Sequence, residues 1–371
     1  MLDHARSLSR FKVPQRMSLE IAINKSNLIK LIVLLVISAF LLSCETVGYY
    51  SQAARGQLAI VFGREEIQQL ISDAETSEKL RSKLAEVLQI REFAAAELDL
   101  PVANNYSTYV DVNRDHAVWN VFAAPEFSTD PVNWCYPIAG CVTYRGYFNE
   151  AGALNYAAQL EGEGFDVYTG GVDAYSTLGW FDDSLLSTVM SRANYQLAGL
   201  IFHELAHQVV YLPGDTTFNE SFATAVEREG LRRWLQANDR TDTIAIAERD
   251  RIRQQQFIDL VTEFRNQFTE LYELEISVER KREEKTVLQI RLREEYENLK
   301  ASWDGYSGYD SWFSRSLNNA QLSTVGSYND YVLFFNNLLD KVDGVMPDFY
   351  AEAQRIVTLS EEERNSLLEN Y

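Results

Sequence analysis

The chain has 371 residues and a mass of 42.5 kDa, room for two domains at roughly 100–200 residues each, or one domain with a large insertion. Hydrophobic residues make up 46% and charged residues 24%, a globular balance that excludes a disordered or fibrous chain. The formal net charge of −20 repels phosphate backbones and excludes nucleic acid as a partner, and three cysteines are too few for a disulfide-built scaffold.

The N-terminus reads as an address. Leu31–Leu42 is an apolar run shorter than the ~20 residues a spanning helix needs. Lys25 and Lys30 precede it, so it has the basic and apolar regions of a secretory signal. It ends in Leu41-Leu42-Ser43-Cys44, which resembles the bacterial lipobox, where cleavage leaves an N-terminal cysteine for lipidation. The leader is long, and Met17 is an alternative start. Cleavage before Cys44 would remove six basic and two acidic residues and leave a net charge of −24. Such a body stands off anionic membranes except through its acyl chains. Glu45 follows the cysteine, with no Asp there to signal inner-membrane retention. The expected location is therefore the cell envelope, at the periplasmic face of the outer membrane if the host is Gram-negative.

Residues 49–98 carry two helical apolar stripes, with Asp73 or Thr76 as a cap for the second. Tyr109–Val112, Ala117–Phe122 and Val142–Phe148 are rich in branched and aromatic residues and predict strands. Between them Cys135 and Cys141 flank Pro137 and Gly140, the pattern of a small disulfide loop in an oxidising compartment. A short helix is expected over Asn155–Glu163, a strand over Phe165–Thr169 ended by Gly170-Gly171, and a further short strand from Ala174 to Trp180. Residues 242–302 contain no Gly or Pro, and Phe257, Leu260, Phe264, Leu271 and Leu274 recur at helical steps. They predict a long antiparallel helical hairpin, or amphipathic helices packed on a core, and offer a surface for a protein partner. Helices over 311–321, 328–341 and 347–369 follow.

The chemistry is concentrated in His203-Glu204-Leu205-Ala206-His207. On a helix, residues four apart share a face, so both imidazoles can reach one Zn²⁺, while Glu204 points one step round, toward a water rather than the metal. A zinc hydrolase needs three protein ligands and one open position. Asn219-Glu220-Ser221-Phe222-Ala223 supplies Glu220 as the third ligand, with Glu227 and Glu229 as rivals. Asp215 is either a second-shell partner for a histidine or a loop cap.

These two motifs resemble those of the gluzincin metallopeptidases, whose second motif reads Asn-Glu-x-Phe/Trp-Ala. More closely, the chain is similar to the predicted zinc aminopeptidase family of bacterial lipoproteins. The resemblance implies an α+β, mostly helical zincin-like fold with a small mixed sheet and a long helical hairpin. Its expected parts are a signal peptide (1–43), a metallopeptidase core (44–241), the hairpin (242–302) and C-terminal helices packed on the core (303–371). It implies a peptide substrate, Zn²⁺ as cofactor, Glu204 as general base, and an oxyanion partner for which Tyr306, Tyr309, Tyr328 and Tyr331 are candidates. It also implies an edge strand that pairs with substrate, placed at Ala174, Tyr175, Ser176 and Thr177. The chain lacks the Gly-x-Met-Glu-Asn exopeptidase motif, and its His207–Glu220 interval is shorter than the family's. That supports a metallopeptidase more firmly than an aminopeptidase. Zinc endopeptidase, another envelope hydrolase, or a non-catalytic lipoprotein that binds a partner through 242–302 are the alternatives.

Overall fold

The two apolar stripes of residues 49–98 become three helices rather than a continuous pair. A computed structural model describes residues 47–136, 140–175, 181–325 and 331–369. The expected signal peptide and Cys44 lie outside these described residues. Contacts divide the chain into residues 1–52 and 53–371; apart from residues 47–52, the described residues belong to the second unit.

Helix α1 runs over 47–62 and stops at Gly63. A two-residue strand β1 (Glu65–Glu66) then leads into α2 (Ile67–Ser72). Ser77, not Asp73 or Thr76, caps α3 (Glu78–Glu97): its hydroxyl accepts from the Leu80 amide, one of the donors a helix start leaves unmet.

The β-residues form three small sheets. Strand β2 (Thr108–Val110) pairs antiparallel with β1 and parallel with β8 (Leu185–Leu186). Strand β3 (Val118–Pro125) lies between β6 (Arg145–Tyr147) and β7 (Phe165–Val172), antiparallel to both. Strands β4 (Trp134–Tyr136) and β5 (Gly140–Val142) pair with Cys135 opposite Cys141, and their sulfurs are bonded. Gly170-Gly171 does not break β7. A Cβ at Gly171 would lie 2.1 Å from the His116 ring, so glycine leaves that ring its place against the strand. Asp173, just past β7, then meets His116 Nδ1 at 2.6 Å. Ala174 and Tyr175 lie beyond the strand, and the expected strand's remaining residues, Ser176–Trp180, lie outside the described set.

The helices supply the bulk. They are α4 (Glu150–Gly162), α5 (Asn194–Ala206), α6 (Thr216–Ala237), α7 (Thr241–Glu273), α8 (Val278–Ser302), and the short α9 (Asp310–Phe313) and α10 (Asn319–Leu322). The chain ends in α11 (Val332–Lys341), α12 (Met346–Val357) and α13 (Glu361–Glu369). The fold is therefore α+β and mostly helical, with small mixed sheets.

The main core joins α3, α5, α6, α11 and α12. At its centre Phe222 stacks on Phe349 and meets Phe335 edge-on. A second core fills the hairpin of α7 and α8. Phe257, Phe264, Phe268, Leu292 and Tyr296 line it, and Trp303, Phe313 and Leu322 close it. The hairpin's inner face is thus covered by the chain that follows it. Lys285 of α8 ties it to the sheet, reaching Asp166 of β7 at 2.6 Å and the Glu126 carbonyl at 2.9 Å.

Phe222 carries the junction of α6, α11 and α12, and a void there cannot collapse without moving a helix. Phe222→Ala should cost about 3–5 kcal/mol of unfolding free energy, measured by equilibrium denaturation. A loss under about 1 kcal/mol would show that this aromatic junction is not the core's centre.

Candidate metal centre

Helix α5 begins at Ala193, where the Gln196 side chain accepts from the capping residue's own amide. Its sequence puts Leu197, Ala198, Ile201, Phe202, Leu205 and Ala206 into the core and leaves His203 and Glu204 half-buried. Regular α-structure ends at Ala206, and His207 is the C-cap.

Helix α6 crosses close to α5. Its start is built by two side chains. Asp215 accepts from the Phe218 amide as N-cap, which is the role it plays rather than one as histidine partner. Asn219 grips the Leu212 backbone at both ends, accepting from its amide at 2.7 Å and donating to its carbonyl at 2.8 Å. The Asn of the Asn-Glu-x-Phe-Ala motif therefore sets the loop between the two helices, and the neighbouring Glu220 is held toward α5.

The close crossing depends on two glycines. A Cβ at Gly199 would lie 3.0 Å from Glu227 Oε1, and one at Gly230 would lie 2.7 Å from Leu98 and 2.9 Å from Phe202. At Gly230 a side chain would force Leu98 or Phe202 to shift, and at Gly199 the Glu227 carboxylate would have to give by a few tenths of an ångström.

At the crossing, His203 Nε2 lies 3.2 Å from Glu220 Oε2, and His207 Nε2 lies 3.5 Å from Glu220 Oε1. One ligand atom from each of these three residues falls within 4.8 Å of the others. Atoms about 2.0–2.1 Å from a shared tetrahedral centre lie roughly 3.3–3.4 Å apart, so this donor set fits a small divalent cation. Its composition, two imidazoles and a carboxylate, suits zinc chemistry. His207 Nδ1 is buried with no hydrogen-bond partner among the described residues. His203, in contrast, donates from Nδ1 to Glu227 Oε2 at 3.1 Å. Glu227, a rival third ligand by sequence alone, thus stands behind His203 and fixes its ring. Glu229, the other rival, pairs with Arg232 and Arg233 instead.

The electrostatics are those of crowded carboxylates. Burial pushes Glu204 up to about 7; His203 opposes the rise, while Glu220, Asp183 and Glu227 add to it. Burial works against a charge on His203, but its hydrogen bonds to Glu220 and Glu227 outweigh it and raise the imidazole well above its usual range. Burial and the neighbouring His203 push His207 down to about 4. Glu220 is held below the usual carboxylate range: burial opposes this, and the His203 hydrogen bond wins. Glu220's ion-pair partners among the described residues are the two imidazoles. A cation replacing the His203 Nε2 proton would neutralise this group of acids, so its affinity should fall as pH drops.

Tyr106 is a site neighbour that sequence reasoning missed. It is buried, with a left-handed backbone (φ 55°), and its amide donates to the Asp183 carbonyl at 2.6 Å. Burial, then the Glu204 and Asp183 carboxylates, raise its hydroxyl well above the usual range, so it stays protonated beside them. Of the tyrosines expected to face the site, Tyr306 and Tyr309 sit instead in the aromatic group around Trp303. The Tyr331 amide donates to Ser221 Oγ, and Tyr328 lies outside the described residues. Ala174 packs on the main core and Tyr175 on Phe148.

If His203 holds the cation through Nε2, the Glu227 hydrogen bond to Nδ1 orients it from behind, and Glu227→Gln should weaken Zn²⁺ about 10–100-fold in a chelator competition. His203→Ala should abolish stoichiometric binding. Equal loss in both would make Glu227 a ligand, and no loss in either would place the ion elsewhere.

A family model described as "Putative aminopeptidase" matches residues 48–368, the whole of the site and nearly all of the described chain. No curated protein and no solved structure matches the chain. With the two motifs inside the match and their side chains converging at one crossing, the chain belongs to the putative aminopeptidase family.

Proposed function

We propose that this protein is a zinc-dependent peptidase, an aminopeptidase by its family, with Zn²⁺ held by His203, His207 and Glu220. The convergence of those three side chains within 4.8 Å is the observation that carries this reading. A bound Zn²⁺ supplies Lewis acidity, lowering the pKa of water and polarising a peptide carbonyl.

The protein's own residues do the rest. Glu204 neighbours His203 in the chain without belonging to the ligand set, and its raised pKa makes it a base able to take a proton near neutral pH. It takes the proton of the attacking water and returns it to the departing amine, so it ends the cycle as it began. Tyr106 stays protonated, its hydroxyl raised by burial and then by the Glu204 and Asp183 charges. The apolar side chains of α5 exclude water and keep these interactions strong. The family supports a peptide substrate. The lipobox-like Leu41-Leu42-Ser43-Cys44 supports an acylated envelope protein, placed at the periplasmic face of the outer membrane in a Gram-negative host.

Glu204→Gln should keep one zinc per chain and lose about 10²–10⁴-fold in kcat on a peptide library read by mass spectrometry. The same digest separates removal of N-terminal residues from internal cleavage. Since the base must be ionised, wild-type kcat/KM should fall as pH drops through the Glu204 pKa, about 7 without the ion and lower beside it. Full activity of Glu204→Gln, or an acid limb unchanged in a slow residual reaction, would refute the assignment.

The mature N-terminus should map to acylated Cys44 by mass spectrometry of protein expressed with its leader. Any other N-terminus contradicts the envelope-anchored reading.

A further inference from the structure

Helix α1 is fastened to the body by one face and bare on the other. Ile60 is buried in a small cluster with Val110, Ala117, Val118 and Leu186. A Cβ at Gly56 would lie 2.0 Å from the Phe148 ring, so the helix is seated directly on that side chain. Opposite this seam, Ala54, Leu58 and Phe62 recur every fourth residue and are exposed, with Arg55 and Ala59 beside them. Leu58 is 49% and Phe62 81% exposed. The side chains earlier in the helix are similar in kind, and Val47 and Tyr50 are exposed too.

Composition sets this helix apart. Residues 47–63 contain no Asp or Glu and one cation, Arg55, in a chain of net charge −20. The carboxylates resume at the exposed Glu65 and Glu66. The helix also begins three residues after Cys44, the proposed site of acylation.

We infer that the outer face of α1 lies on the bilayer surface, with Leu58 and Phe62 in the lipid interface. The proposal rests on the acylation of Cys44. The acyl chains hold the protein at the membrane, and α1 decides which side of it faces the lipid. An acidic body is held off by anionic headgroups. A carboxylate-free apolar face next to the anchor is where that repulsion is weakest, and an interfacial helix buries such a face about 5–10 Å deep, at the headgroup–acyl boundary. Arg55 on the same side is placed to meet lipid phosphate. The surface would fix the orientation of the metal centre relative to the membrane, which an acyl tether alone leaves free.

The test uses the acylated mature chain in phosphatidylcholine vesicles, with a spin label at Phe62→Cys, Leu58→Cys or, as control, Leu333→Cys, a position 63% exposed on α11. On reconstitution, labels at 58 and 62 should become more accessible to oxygen and less accessible to a water-soluble nickel chelate. The label at 333 should not change. Protein that floats with vesicles while labels 58 and 62 remain in water would overturn the inference and leave the anchor intact. Protein that does not float would overturn both. Labels 58 and 62 that are shielded equally without vesicles would identify a second copy, not lipid, as the occupant.

Discussion

The close crossing of α5 and α6 is the constraint on which the site depends. Two imidazoles on one helix can face the same point through spacing alone, but the third ligand must come from another element held a few ångströms away. Gly199 and Gly230 let the two helices approach to where Glu220 meets both rings and Glu227 reaches the back of one. A side chain at Gly230 would press on Leu98 and Phe202 of the facing elements, and one at Gly199 would displace the Glu227 carboxylate from behind His203. Asn219 fixes the intervening loop, and Phe222, two residues after Glu220, anchors α6 among Phe335, Phe349 and Tyr350. Packing and chemistry here share one interface.

That interface also explains the charge pattern. The apolar face of α5 is buried, so the carboxylates beside it lie where water screens them poorly. Burial raises the proton affinity of Glu204, with Glu220, Asp183 and Glu227 adding to it, while the hydrogen bonds of His203 to Glu220 and Glu227 keep that imidazole protonated. Such a concentration of acid is costly to fold unless it serves a cation. The same crowding leaves Glu204, which is outside the ligand set, with an affinity suited to passing protons near neutral pH.

The centre of the site was legible in the sequence because its signal is local. A four-residue histidine spacing on an apolar helix, and an Asn-Glu-x-Phe-Ala run soon after, need no tertiary information. What depended on packing was not legible. Glu220 and Glu227 lie seven residues apart on one helical face, and only the crossing geometry makes one a ligand candidate and the other a hydrogen-bond acceptor behind His203. Tyr106 reaches the site from nearly a hundred residues upstream through an irregular, left-handed turn that no periodicity marks. The helical repeat of 242–302 predicted either a hairpin or helices packed on a core, but its cover by Trp303, Phe313 and Leu322 comes from the end of α8 and from single-turn helices too short to show a repeat. Gly170-Gly171 looked like punctuation because the demand for glycine there comes from the His116 ring, brought in from the end of β3's neighbouring loop.

By the proposed reading, His203, His207 and Glu220 form one cation site. X-ray absorption at the zinc edge, on protein loaded with one equivalent of Zn²⁺, tests it most directly. The zinc should show nitrogen and oxygen neighbours at about 2.0–2.2 Å, with the outer-shell scattering of two imidazoles. A spectrum with sulfur neighbours, or one without imidazole scattering, would contradict it.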